Sequence, residues 1–488
     1  MVTPAAVNNG IRRFTIALFV SLSAFPAVGA EPPRTPNHLA AVRAFGQSLI
    51  SRARSLPSDS SDDLARGVWP ARIPIGPPRP GPSGHANLAH ESSTLRLFRV
   101  LSEVSDDGSF RLAANAYVAD YLDRGQCPQT GLLAWGPELR LDIATGKVVS
   151  QTPPGRHAFV PRTPPWEVLW DSDPKATAKA IAGLEYHFLD SEEHYFAPAA
   201  AFGEAKRPTS GQPQCWQAGL MTHAFAFLYH KTGRRKWLDK ARGCADLFWK
   251  RKRGGAYLVP ASLGDATTAD QVAGPEQVLI GYFLVKAWKH VPRENEFGEH
   301  AVLLIEGFDR ACHDPGSNNW RVRAPFGGTA RPEEKQTEKE RETEKPELLS
   351  IWKDHPERIV SVPLLGRASA YVAGVTGDRV CLDVARRCFD LLERTPRGPS
   401  AGVASSAFAL GLSLDLYDLS KDKKYLAFAE KLAADSLKRF SKDGLFRDGS
   451  ETAFYDASSS AGDLAAALLR LHLRSRRFRP ARLYDWTF

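Results

Sequence analysis

One helical hairpin is written into this chain more than once. Residues 231–247 read KTGRRKWLDKARGCADL and residues 375–391 read VTGDRVCLDVARRCFDL. Thr232/Thr376, Gly233/Gly377, Leu238/Leu382, Asp239/Asp383, Ala241/Ala385, Cys244/Cys388 and Leu247/Leu391 coincide. Two weaker copies keep the same frame, SDDGSFRLAANAY from Ser105 and SKDKKYLAFAEKL from Ser420. In each, an apolar helix ends in a short polar turn. An aromatic or cysteine anchor (Phe110, Trp237, Cys381 or Tyr425) then opens a second helix with apolar residues at i, i+3/i+4 and i+7. A single hairpin cannot bury both of its faces, so repetition demands stacking against further copies. The anchors fall near whole multiples of a unit of roughly 42–48 residues, one helix pair with its loops. The expected fold is all-α, an (α/α) toroid of about six or seven helical hairpins with long loops on one face.

The N-terminus reads as a secretory signal. Arg12 and Arg13 precede an apolar run from Phe14 to Ala24, and small residues at 27–30 place the cleavage after Ala30. That run is short for a membrane span, and no later segment sustains the roughly 18 apolar residues a span requires. A secreted or periplasmic chain with no membrane contact after cleavage follows. Residues 31–90 form a Pro/Gly-rich extension, and 91–478 the toroid, interrupted by the charged insertion 331–347. The net charge of +9 is spread over the whole length, which disfavours nucleic acid and is compatible with an acidic polysaccharide. The six cysteines (127, 215, 244, 312, 381 and 388) match no zinc or iron–sulfur spacing, so no metal and no cofactor is expected. They read as buried small hydrophobes, with one or two disulfides open in an oxidising compartment.

In a helical repeat, binding residues collect on the connections of one face. Three are long and aromatic: 125–172, 251–274 and 443–459. The first holds Trp135, Trp166 and Trp170 beside Glu138, Arg140, His157, Arg162, Glu167 and Asp171. Indole faces stack on sugar rings and arginine grips carboxylates in bidentate fashion. Trp166 and Trp170, four apart, also fit a helix-packing stripe. Trp216 and His223 lie two turns apart on one helix face, as substrate contacts or as core. The second connection clusters Lys250, Arg251, Lys252 and Arg253 with Tyr257. Cations beside a phenol favour its phenolate, which is how tyrosine serves as a base. The same residues also fit a solvated helix C-terminus. The third offers Arg447, Glu451, Tyr455 and Asp456 ahead of the last helix, with Tyr455 fitting a core position equally well.

The order of these motifs is a TGLLAWG turn, a PPWEVLWDSDP segment, an FWKRKRGGAYLVP loop and a GLFRDGSETAFYDASSSAG tail. It resembles secreted bacterial (α/α)-toroid polysaccharide lyases of the glucuronan and alginate lyase type, over most of residues 90–474. The resemblance implies β-elimination on an acidic polysaccharide. Arg251 or Arg253 would neutralise the uronate carboxylate, Tyr257 would act as base or acid, and His157 as base or neutraliser, with Asn115 a further neutraliser. After Trp135-Gly136 the chain departs from that pattern, with Pro137-Glu138 in place of histidine. Two alternatives stay open. One is an (α/α) glycoside hydrolase using two carboxylates among Glu138, Glu167, Asp171 and Asp456. The other is a non-catalytic glycan-binding protein, which the Glu138 departure favours.

Overall fold

The computed structural model describes residues 37–54, 67–75, 84–151, 155–252, 257–264, 272–325, 347–354, 360–447, 449 and 453–476. The signal segment, Arg253, Glu451 and all of the charged insertion except Glu347 lie outside the described residues. The helices are α1 (His38–Arg54), α2 (Leu88–Ser105), α3 (Gly108–Arg124), α4 (Trp166–Ser172), α5 (Pro174–Gly183), α6 (Cys215–Thr232) and α7 (Arg235–Trp249). They continue with α8 (Glu276–His290), α9 (Asn295–Cys312), α10 (Val362–Thr376), α11 (Arg379–Arg394), α12 (Val403–Ser420), α13 (Lys423–Phe440) and α14 (Ala461–Arg476). None of the described helices is long and apolar enough to cross a membrane.

These helices form the (α/α) toroid. Hairpins α2/α3, α6/α7, α8/α9, α10/α11 and α12/α13 each pair an inner helix with an outer one, and the short pair α4/α5 takes the place of another. The composition of the two layers differs as burial requires. In α6 every residue from Cys215 to Leu228 is buried, because neighbours cover it on all sides. In α11 only one stripe is buried, including Cys381, Val384, Ala385, Cys388 and Phe389, and the rest faces water. The turn joining inner to outer helix is the repeated element. Gly233 (φ 67°) and Gly377 (φ 78°) end α6 and α10 in the left-handed conformation, while Thr232 and Thr376 donate back to the carbonyls of Leu228 and Val372. Asp106 and Lys421 hold the same conformation in the two weaker copies. The anchors Phe110, Trp237, Cys381 and Tyr425 are all buried, and all six cysteines are buried and unpaired.

Because α2, α6, α8, α10 and α12 each leave through a short turn at the C-terminal end, the long connections gather at the N-terminal ends of the inner helices. The ring closes on itself: α14 packs between α12 and α2, and α1 covers α14 as its outer partner. Of the stretch expected to be a separate extension, the described residues 37–54, 67–75 and 84–90 pack with the toroid. Its strand Arg72–Pro74 pairs antiparallel with Phe454–Asp456, Ile73 opposite Tyr455, and Trp69 packs on Tyr117 and Phe98.

At this seam Tyr455 donates to Glu91 Oε1 at 3.0 Å, both fully buried. Tyr455 is thus a core residue and not a glycan contact. Burial raises the Glu91 carboxyl to about 7, against partial compensation by Thr94, Tyr455 and Trp69. A carboxyl raised from 4.5 to about 7 on folding binds more protons in the folded state between those values, so stability falls as pH rises through that window and is flat above it. Glu91→Gln removes the ionisation and keeps an acceptor. Urea unfolding should show wild type and variant alike near pH 4.5. The variant should be more stable by on the order of 3 kcal/mol at pH 8. A constant difference across the range would show that Glu91 titrates alike in the folded and unfolded chain.

Candidate functional site

The first connection folds into a cavity wall at the N-terminal end of α2. Asn87 caps α2 by accepting from the Ala89 N–H (3.0 Å), and its amide donates to the Gly136 carbonyl (3.0 Å). One side chain thereby fixes both the helix start and the turn after Trp135. Gly136 has φ +112°, and a Cβ there would sit 2.7 Å from the Ala158 carbonyl oxygen. Only glycine lets the Trp135 and His157 segments approach this closely, joined by the Ala158 N–H to the Trp135 carbonyl (3.3 Å). The His157 strand Arg156–Ala158 pairs on its other edge with Ala199–Ala201.

These segments form a pocket lined by Trp135, His157, Phe159, Arg162 and Trp166 together with aliphatic residues of α5 and α6. Trp135, Trp166 and His157 are buried. His157 Nδ1 lies 2.8 Å from His187 Nε2, and His187 Nδ1 lies 2.9 Å from the Ala197 carbonyl. A carbonyl only accepts, so His187 carries its proton on Nδ1. Burial lowers the His187 pKa to about 4, so the ring is neutral and its Nε2 accepts. His157 then carries its proton on Nδ1, and its Nε2 keeps the lone pair. Burial, then the neighbouring His187, holds the His157 pKa well below the usual histidine value.

Arg162 joins the first connection to the third. Its Nη2 donates to Ser460 Oγ and lies 3.4 Å from Asp463 Oδ2, while Nη1 is buried and has no hydrogen-bond partner among the described residues. Trp166 Nε1 is buried and unpartnered in the same sense. Asp463 is held in turn by Ser93 (2.5 Å). His90, in the first turn of α2, lies in the field of Arg162, Asp456 and Arg140. Burial first, and Arg162 next, lower its pKa to about 4. His90 and His187 were not singled out by the sequence. Neither belongs to a spaced motif, and only the closure of the fold brings them to His157 and Arg162.

The structure brings together His157, Trp135, Arg162 and Trp166, and sets the other expected site residues elsewhere. Tyr257 (φ +52°) stacks on Trp249 (6.1 Å, 4°), which stacks on His300 of α9 (3.7 Å). It is therefore attached to the outer layer and does not line this cavity. Arg251 is exposed and donates to the Leu247 carbonyl at the end of α7 (2.6 Å). Arg447 donates to the Arg439 carbonyl, closing the turn after α13. Trp216 is buried at the start of α6 with Nε1 bonded to Gln214 (2.6 Å), and His223 is buried against His290. Arg253 lies outside the described residues. Asp456 caps the turn at Ser458 and Asp171 pairs with Arg99 (3.7 Å).

Residues 82–209 match a family model described as periplasmic pectate lyase. That stretch contains Trp135, His157, Arg162, Trp166 and His187, and the match supports a carbohydrate-acting enzyme. No curated protein matches the chain. Among solved structures, the chain is similar to a family 76 glycoside hydrolase (mannosidase) of Bacteroides thetaiotaomicron, with 11% identity, TM-score 0.46, and coverage of 90% of this chain and 100% of that one. It is also similar to a cellobiose 2-epimerase of Bacillus thermoamylovorans (11%, 0.45, 88% and 99%). A third is an unsaturated glucuronyl hydrolase of a Bacillus species (13%, 0.42, 88% and 94%).

If Gly136 sets the spacing of the wall, Gly136→Ala should lower stability by roughly 1–3 kcal/mol in urea unfolding. It should also change the near-ultraviolet circular dichroism of the buried tryptophans. A variant with unaltered stability and spectrum would show that the wall tolerates a side chain there.

Proposed function

We propose that this chain is a secreted or periplasmic polysaccharide lyase that cleaves an acidic, uronate-containing polysaccharide by β-elimination. The observation that carries the reading is the pair of buried donors in one pocket wall, Arg162 Nη1 and Trp166 Nε1, that have no hydrogen-bond partner among the described residues. Leaving such donors unsatisfied costs about 1–3 kcal/mol each, more for the charged one, which an anionic, hydroxyl-rich guest would recover. Arg162 serves as the carboxylate clamp, and Trp135 and Trp166 give apolar faces to the sugar.

The C5 proton of a uronate becomes acidic only when the charge developing on the carboxylate is offset, and a fixed guanidinium in a water-poor cavity does this well. His157 Nε2 takes that proton. The C5–H electrons form the C4=C5 double bond, and the C4–O4 pair departs with O4, which receives the proton back from the His157 imidazolium. His187 holds His157 in the required tautomer. The carboxylates that a hydrolase would need, roughly 5–10 Å apart across the groove, are not supported: none of Glu138, Glu167, Asp171 or Asp456 is among the described lining residues.

Mixing the purified protein with polygalacturonate, alginate, glucuronan and glycosaminoglycans should raise the absorbance of the unsaturated product on at least one of them. His157→Ala should lower kcat by about 10²–10⁴-fold and Arg162→Ala by about 10²–10³-fold. Because the His157 pKa is lowered, the acid limb of kcat/KM should lie below pH 6.5. Binding without any product on every polyuronate would leave the glycan-binding alternative standing and end the lyase reading.

A further inference from the structure

We propose that Glu167, His223 and His290 bind a divalent first-row transition-metal ion between α4, α6 and α8. The three side chains come from three neighbouring helices, and one donor atom from each lies within 4.8 Å of the other two. Zinc bonds of about 2.0–2.2 Å hold ligand atoms roughly 3–4 Å apart, so a small inward movement completes the set. Two imidazoles and one carboxylate select zinc, manganese, iron or nickel over calcium and magnesium, which prefer all-oxygen shells.

The imidazoles are already packed for the task. The His223 and His290 rings lie nearly parallel at 5.3 Å, and Phe227 meets His290 edge-on at 5.3 Å. His230 sits beside His290 at 5.6 Å, outside the donor set. Lys231 flanks Phe227, and Lys286 and Lys289 are cations whose field reaches His290. Their ammonium groups stand over the rings of Phe227, Tyr282 and Tyr371 at 5.4, 5.6 and 5.6 Å. Coordination has to outweigh their repulsion, which makes this a weaker site than an all-acidic one and ties its specificity to imidazole-binding metals.

The ion would brace the floor of the cavity described above. Glu167 follows Trp166, and His223 lies between Leu220 and Ala224, all three of which line that cavity. An ion held here pins α4, the short helix that presents Trp166, to the long helices α6 and α8. The site stands on its own donors and does not depend on the lyase reading.

Untagged full-length protein, stripped with chelator and dialysed against zinc, should retain about one ion per chain by mass spectrometry and show a raised Tm. Calcium at the same concentration should produce neither effect. The double variant His223→Ala/His290→Ala should lose the ion. Glu167→Gln, at a half-buried position, should weaken zinc affinity about tenfold by calorimetry while leaving the circular dichroism intact. If the double variant fails to fold, the Glu167→Gln titration decides alone. Absent uptake by the wild type, or affinity unchanged in Glu167→Gln, would overturn the proposal whatever the outcome of the lyase assay.

Discussion

Everything in this molecule depends on closing a ring of helices that are apolar on every side. A helix such as α6, buried from Cys215 to Leu228, has no face it can show to water. It is stable only between two inner neighbours and an outer partner. The first and last inner helices would each lack one neighbour in an open stack. Contact between α14 and α2 supplies it, and α1 covers the joint. The first and last described helices are thereby cooperative parts of one core, with Trp69, Phe45, Glu91 and Tyr455 interlocked at the seam.

The repeat was legible because its determinants are local. The left-handed turns at Gly233 and Gly377 and the buried anchors Phe110, Trp237, Cys381 and Tyr425 all stand where the spacing placed them. What was not legible is set by long-range packing. Helix α4 is seven residues between Pro165 and Asp173, too short for a full apolar period, so it read as loop apart from the Trp166/Trp170 stripe. Residues 31–90 lack the repeat pattern and read as a separate extension, yet α1 and the strand at 72–74 complete the ring.

The same distinction governs the candidate site. Aromatic and basic residues in long connections were visible, but composition does not say which connections meet. The first and third do, through Arg162, Ser460 and Asp463. The second runs instead beside the segment ahead of α6, with the Cys215 N–H bonded to the Ala261 carbonyl and Leu263 to Pro213. Tyr257 consequently sits with Trp249 of the outer layer, away from His157 and Arg162. The cluster of Glu167, His223 and His290 was hidden for the same reason. Its members lie far apart in sequence, and the absence of a cysteine motif bears on thiolate sites alone.

The inner helices share one direction, and their amino-terminal ends all face the side where the long connections gather. Peptide dipoles that oppose one another in an antiparallel bundle are here aligned within the inner layer, and each contributes about half a positive charge at that end. The rim of the toroid therefore carries an electrostatic bias written in backbone alone. Its reach is about one helical turn, so it favours negative charge held against the helix starts themselves.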